Sequence, residues 1–187
     1  MRIRAGLLFA TMLLATIAAA ATPTPAAAAV KVKPVKTGLN GPSAFTFAPS
    51  GTIWYLERGT GEVHTLDPAS GAVARFEVGA RRPAWFASGT ADLWIAAADS
   101  DVLHVDPATG KVLAHLHVGR TLAQGAAARD GTIWVPDKEQ SVVYRIDPVR
   151  ERVVGSFPAG PGAYLALRAF GSMWVLSYAG ADVRRFG

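Results

Sequence analysis

Four tryptophans, Trp54, Trp94, Trp134 and Trp174, stand 40 residues apart along a chain of 187 residues. A fixed period of this length is the mark of a repeat architecture, and it constrains the fold more than any single motif. Each Trp follows a turn: "PSGTIW", "TADLW", "RDGTIW" and "FGSMW". About a dozen residues later comes a second apolar run: "VHTLD", "VLHVD", "VYRID" and "VRRF". Three of these runs end in Asp-Pro, at Asp67, Asp106 and Asp147, and two continue as "DPASG" and "DPATG". Asp caps such a turn with its side chain, Pro presets the next φ, and Gly accepts the left-handed conformation. A third run closes on "FEVG" (Phe76–Gly79), "LHVG" (Leu116–Gly119) or "FPAG" (Phe157–Gly160). A fourth precedes each Trp run: "SAFTFA", "PAWFAS", "GAAARD" and "AYLALR".

Val, Ile, Trp, Tyr and Phe dominate these runs and glycines interrupt every stretch long enough for a helix, so the elements are strands. Four strands per repeat of about 40 residues make a blade of a β-propeller. Named A to D from the axis outward, strand B carries the Trp, which belongs to the packing between blades. The last copy stops after strand C, whereas "VKTG" (Val35–Gly38) precedes the first strand A and resembles the endings of strand D. The expected fold is therefore all-β: four four-stranded blades, with the N-terminal strand closing the last one. A fragment of a larger six- or seven-bladed propeller is the alternative reading.

The domain organisation is read as two parts. Residues 1–29 hold Arg2 and Arg4, the apolar run "AGLLFATMLLATIAAAA" and the Ala/Pro-rich "TPTPAAAA", the pattern of a signal peptide and leader. Residues 30–187 are the propeller. The chain is thus expected to be secreted or periplasmic, touching a membrane only in transit. The absence of cysteine removes disulfides, thiolate metal sites and Cys nucleophiles. The net charge of +5 comes from scattered Lys and Arg, which argues against nucleic acid as a partner.

The repeat pattern "GTIWYLE…VHTLDPASG…F" resembles that of streptogramin (virginiamycin B) lyase-like propellers and is similar to YVTN-type secreted propellers and NHL repeats. The resemblance covers residues 38–187. It implies the blade architecture, and for the lyases a divalent metal with His and Glu near the axis. The sequence has no His after His117 and no His-x-Glu, so no catalytic residue carries over.

Function is then sought on the face where B–C and D–A loops surround the channel mouth. The third position after each Trp is Glu57, Ala97, Asp137 and Ser177. Ligand-binding side chains are expected among Glu57, Arg58, Arg81, Arg82, Arg120, Asp137, Lys138 and Tyr178. No metal site is evident; if a divalent cation binds, Glu57 and Asp137 are its oxygen ligands. His64 and His104 occupy near-equivalent places in strand C, and His115 and His117 share one face of an outer strand. No catalytic set is assembled. The reading is a binding module for a small polar ligand or a protein, with a metal-dependent lyase- or lactonase-like enzyme at the channel mouth as the alternative.

Overall fold

The computed structural model describes residues 33–79, 82–87, 90 and 92–187. The segment expected to be a signal peptide and leader, residues 1–29, and Arg81 lie outside the described residues. Residues 34–187 form one compact body.

The body is all-β, without helix among the described residues, and is a four-bladed β-propeller. The first blade consists of β1 (Pro42–Phe47), β2 (Ile53–Glu57), β3 (Glu62–Leu66) and β4 (Val73–Phe76). The second has β5 (Pro83–Phe86), β6 (Leu93–Ala97), β7 (Asp101–Val105) and β8 (Val112–His117). The third has β9 (Ala126–Ala127), β10 (Ile133–Asp137), β11 (Val142–Asp147) and β12 (Arg152–Pro158). The fourth has β13 (Ala163–Ala169), β14 (Ser172–Ser177) and β15 (Asp182–Phe186). All pairings within blades are antiparallel, in chain order.

The Asp-Pro turns form as their chemistry requires. Asp67 and Asp106 accept bonds from the amides of Ala69 and Ala108, each at 2.8 Å, and Gly71 and Gly110 close the turns with φ of 75° and 73°. The third copy puts Glu151 at that left-handed position, with φ 49°. Its carboxylate reaches the second blade and meets His104 Nδ1 at 3.0 Å.

Three apolar clusters join the blades in series. Trp54, Leu56 and Val63 of the first blade pack on Phe86, Ile95 and Leu103 of the second. Trp94 and Val102 pack on Ile133, Val135 and Ile146, and Trp134 and Val143 pack on Ala166, Met173 and Val175. The indoles are architectural: Trp54, Trp94 and Trp134 are 2, 1 and 7% exposed, and each stacks on an outer ring, Phe76, His104 and Phe157 respectively.

Among the described residues no such cluster joins the fourth blade to the first. The Trp side of the fourth blade lies open, with Leu167, Leu176 and Val183 exposed and Arg185 over the Trp174 ring at 5.7 Å. The opposite side of the first blade is open at Phe45 and Phe47, which are 68 and 61% exposed.

The expected closure of the last blade by residues 35–38 is corrected here. The fourth sheet has three strands, and residues 35–38 form no strand. Val35 and Leu39 instead border a groove with Phe45, Ile53, Tyr55 and Leu66 of the first blade. The segment is poorly suited to a ladder: Pro34 has no amide to donate, and Gly38 turns the chain with φ 74°. Val35 stays 59% exposed at the rim of that groove, and Leu39 is half-buried in it.

The near-equivalence expected of His64 and His104 also fails. His64 lies opposite Tyr55 in the ladder, whereas His104 lies opposite Trp94. A one-residue offset puts them on opposite faces of their sheets.

Candidate functional site

The third position after each Trp ends strand B in every blade, and in the first, third and fourth blades its side chain is a latch between loops. Asp137 is fully buried, and its carboxylate accepts from the amides of Arg120 (2.6 Å), Thr121 (3.4 Å), Glu139 (2.9 Å) and Gln140 (3.0 Å). Glu57 accepts from the Asn40 amide at 3.2 Å, and the buried Ser177 hydroxyl donates to the Ala159 carbonyl. In each case the strand B terminus ties down the segment that leads into strand A of the same blade. Four amides occupy the Asp137 oxygens, so this carboxylate has a structural task.

The structure brings Arg58 and Arg82 together. Both line an open cleft of about 560 Å³ between the B–C hairpin of the first blade and the entry to the second. Arg75, Glu62 and Glu77 share its wall. Arg75 Nη1 stands 3.6 Å from Glu62 Oε1, while among the described residues Arg58 and Arg82 have no carboxylate partner. Arg120 stands apart from this cleft and pairs with Glu139 at 3.2 Å.

Lys138 and Tyr178 meet around a residue that sequence reasoning missed, Tyr164. Lys138 Nζ lies 5.3 Å from the centre of the Tyr164 ring, and Tyr178 and Trp85 both meet that ring edge-on, at 6.0 and 5.3 Å. Trp85, from the second blade, thereby touches the fourth blade. It was legible as the one tryptophan off the 40-residue period, although nothing in the sequence pairs it with Tyr164.

Two clusters contain histidine. His115 and His117 share a face as expected, and both converge on Asp101, at 3.0 and 3.2 Å. Burial raises the Asp101 pKa, but the hydrogen bonds from the two imidazoles outweigh it and leave the pKa below its ordinary value. The second cluster joins Glu57, Glu62 and His64 on the open face of the first blade. His64 Nε2 lies 3.4 Å from Glu62 Oε2 and 3.6 Å from Glu57 Oε2, and the imidazole stacks on Tyr55. Burial, followed by the Glu57 charge, pushes the Tyr55 phenol above its ordinary pKa.

No known protein family's profile and no curated protein sequence matches the chain. Solved structures do. A catalytically inactive virginiamycin B lyase from Staphylococcus aureus, with quinupristin, superposes with a TM-score of 0.66 at 13% identity, over 78% of this chain and 55% of that one. Hydrazine synthase of Kuenenia stuttgartiensis gives a TM-score of 0.63 at 21% identity, over 84% of this chain and 53% of that one. The computationally designed Ika4 protein gives 0.67 at 11% identity, over 81% of this chain and 93% of that one. The chain thus spans just over half the length of the two natural proteins. At these identities the likeness is one of fold: the chain is a four-bladed β-propeller similar in architecture to virginiamycin B lyase.

Proposed function

We propose that the protein is a secreted, non-enzymatic propeller that binds a small anionic ligand in the cleft lined by Arg58, Arg75 and Arg82. The observation that carries this reading is the pair of exposed guanidiniums, Arg58 and Arg82, that face one cleft without carboxylate partners among the described residues. A guanidinium presents a planar fork that suits carboxylate or phosphate oxygens. The latches hold the loops in place, so little ordering cost falls on binding. Secretion rests on the basic, apolar and small-residue order of the first 29 residues.

The test is thermal unfolding with inorganic phosphate and with citrate. A ligand that binds the folded state raises the midpoint with concentration. Arg58→Ala combined with Arg82→Ala removes that rise, and Arg120→Ala keeps it. An unmoved midpoint with both anions, or an undiminished rise in the double variant, overturns the reading. The enzymatic alternative, lyase or lactonase chemistry with Glu57 and Asp137 as oxygen ligands to a cation, has less support because backbone amides already use the Asp137 carboxylate.

A further inference from the structure

We infer that Glu57, Glu62 and His64 bind one divalent transition-metal ion of the zinc kind, at a site whose Glu62 also lines the edge of the anion cleft. The β2–β3 hairpin sets up the site. Glu57 stands opposite Glu62 and Tyr55 opposite His64. Side chains two apart on a strand share a face, so all four project to the same side of the blade.

His64 is only 8% exposed, and its Nε2 is buried without a hydrogen-bond partner. A dry imidazole nitrogen with no partner is costly. The atoms nearest to it by charge are the two carboxylate oxygens at 3.4 and 3.6 Å. These separations are longer than the usual ~2.7–3.2 Å of an N–H···O bond, and Nε2 makes no hydrogen bond. They match something else. Ligand bonds of about 2.0–2.2 Å around a tetrahedral ion place neighbouring donors about 3.4 Å apart. One donor atom from each residue lies within 4.8 Å of the others.

The surroundings steady these donors as the outer groups of a metal site do. The Asn40 amide holds the other oxygen of Glu57 at 3.2 Å. Arg75 stands 3.6 Å from the other oxygen of Glu62, and the Tyr55 ring, 4.9 Å away and tilted by 16°, fixes the imidazole plane. One imidazole with two carboxylates suits zinc or manganese better than calcium or magnesium, which prefer oxygen throughout. A dication would also offset two carboxylates held together at low exposure. A direct ionic contact of Nε2 with Glu62 at 3.4 Å is the competing arrangement, and the zinc titration below separates the two.

The test uses the full chain, freed of metal with a chelator and carrying His115→Ala and His117→Ala so that the Asp101 cluster cannot contribute. Calorimetric titration with zinc chloride is expected to give one ion per chain and a raised unfolding midpoint. His64→Ala and, separately, Glu62→Gln are each expected to weaken binding by about 100-fold or more. Glu62 is partly accessible, so its variant remains informative if the His64 variant does not fold. With cobalt in place of zinc, the visible bands of a nitrogen-bound ion should disappear in His64→Ala. The inference is overturned if no saturable zinc binding occurs, or if affinity and cobalt spectrum persist in both variants. Anion-induced stabilisation is measured without metal, so the two readings fail separately.

Discussion

The carboxylate of Asp137 and the backbone amide of Arg120 meet at 2.6 Å, and this contact anchors the entry to the third blade to the end of its Trp strand. Three further amides share the same carboxylate. Asp137→Ala leaves buried donors unpaired, and the expected loss is about 3 kcal/mol. Urea unfolding should show a lower midpoint with an unchanged slope, and Asp137→Asn should recover part of the loss.

The indoles predict a contrast. Trp94 is 1% exposed between two blades, whereas the Trp174 side of the fourth blade has no neighbouring blade among the described residues. Trp94→Ala should cost about 3–5 kcal/mol. Trp174→Ala should cost well under half as much, because what it gives up is mainly the Arg185 contact and a bond from Nε1 to the Ala169 carbonyl. Chemical denaturation of the two variants side by side checks this.

The open faces predict self-association. Phe45 and Phe47 pack edge-on against each other and are exposed to solvent. Contiguous apolar surface of this kind associates. Light scattering should show mass rising with concentration. Phe45→Ser with Phe47→Ser should suppress the rise, while shifting stability by no more than about 0.5 kcal/mol, as is usual for surface changes.

The Asp-Pro turns predict acid sensitivity. The Ser70 hydroxyl, followed by the amides of Ala69 and Ser70, holds the Asp67 pKa below its ordinary value. The Ala108 amide and the Thr109 hydroxyl do the same for Asp106, and the Arg150 amide and guanidinium for Asp147. A carboxyl with a lowered folded pKa contributes stability that is complete above its unfolded pKa and is lost as pH falls through the folded one. The loss should therefore come below about pH 4. Asp67→Asn should flatten that limb of the stability profile by lowering the plateau near neutrality toward the acid value, as read by unfolding midpoints across pH.

Much of the fold was legible because its cause is local and repeated. The Trp period fixed the blades, and Asp-Pro and Gly fixed the turns. What failed depended on contacts distant in sequence. Nothing in "VKTG" (Val35–Gly38) shows that the segment would run beside the first blade, with Val35 at the rim of a groove, rather than pair with the fourth. His64 and His104 looked alike because the spacing between neighbouring strands C differs by one residue from the Trp period, and one residue reverses a strand's faces. The third position after Trp attracted attention as a polar mouth, but depth decides its role: Asp137 is buried beneath the rim and serves the backbone. Arg58 and Arg82 were both anticipated, whereas Arg75, which shares their cleft from strand β4, was not. Glu62 and His64 went unconnected to Glu57 because only hairpin register reveals that the three share a side.

The gap between the outermost blades has a mechanical corollary. Three packed seams and the Trp85–Tyr164 contact set the separation of those blades, and no apolar cluster among the described residues joins the face of Phe45 to that of Leu167. That opening is expected to be the softest coordinate of the body, and the clustered interior seams stiffer. The anion cleft sits beside a stiff seam and should keep its width, while anything that bridges the outer blades would have to fix the curvature of the whole arc.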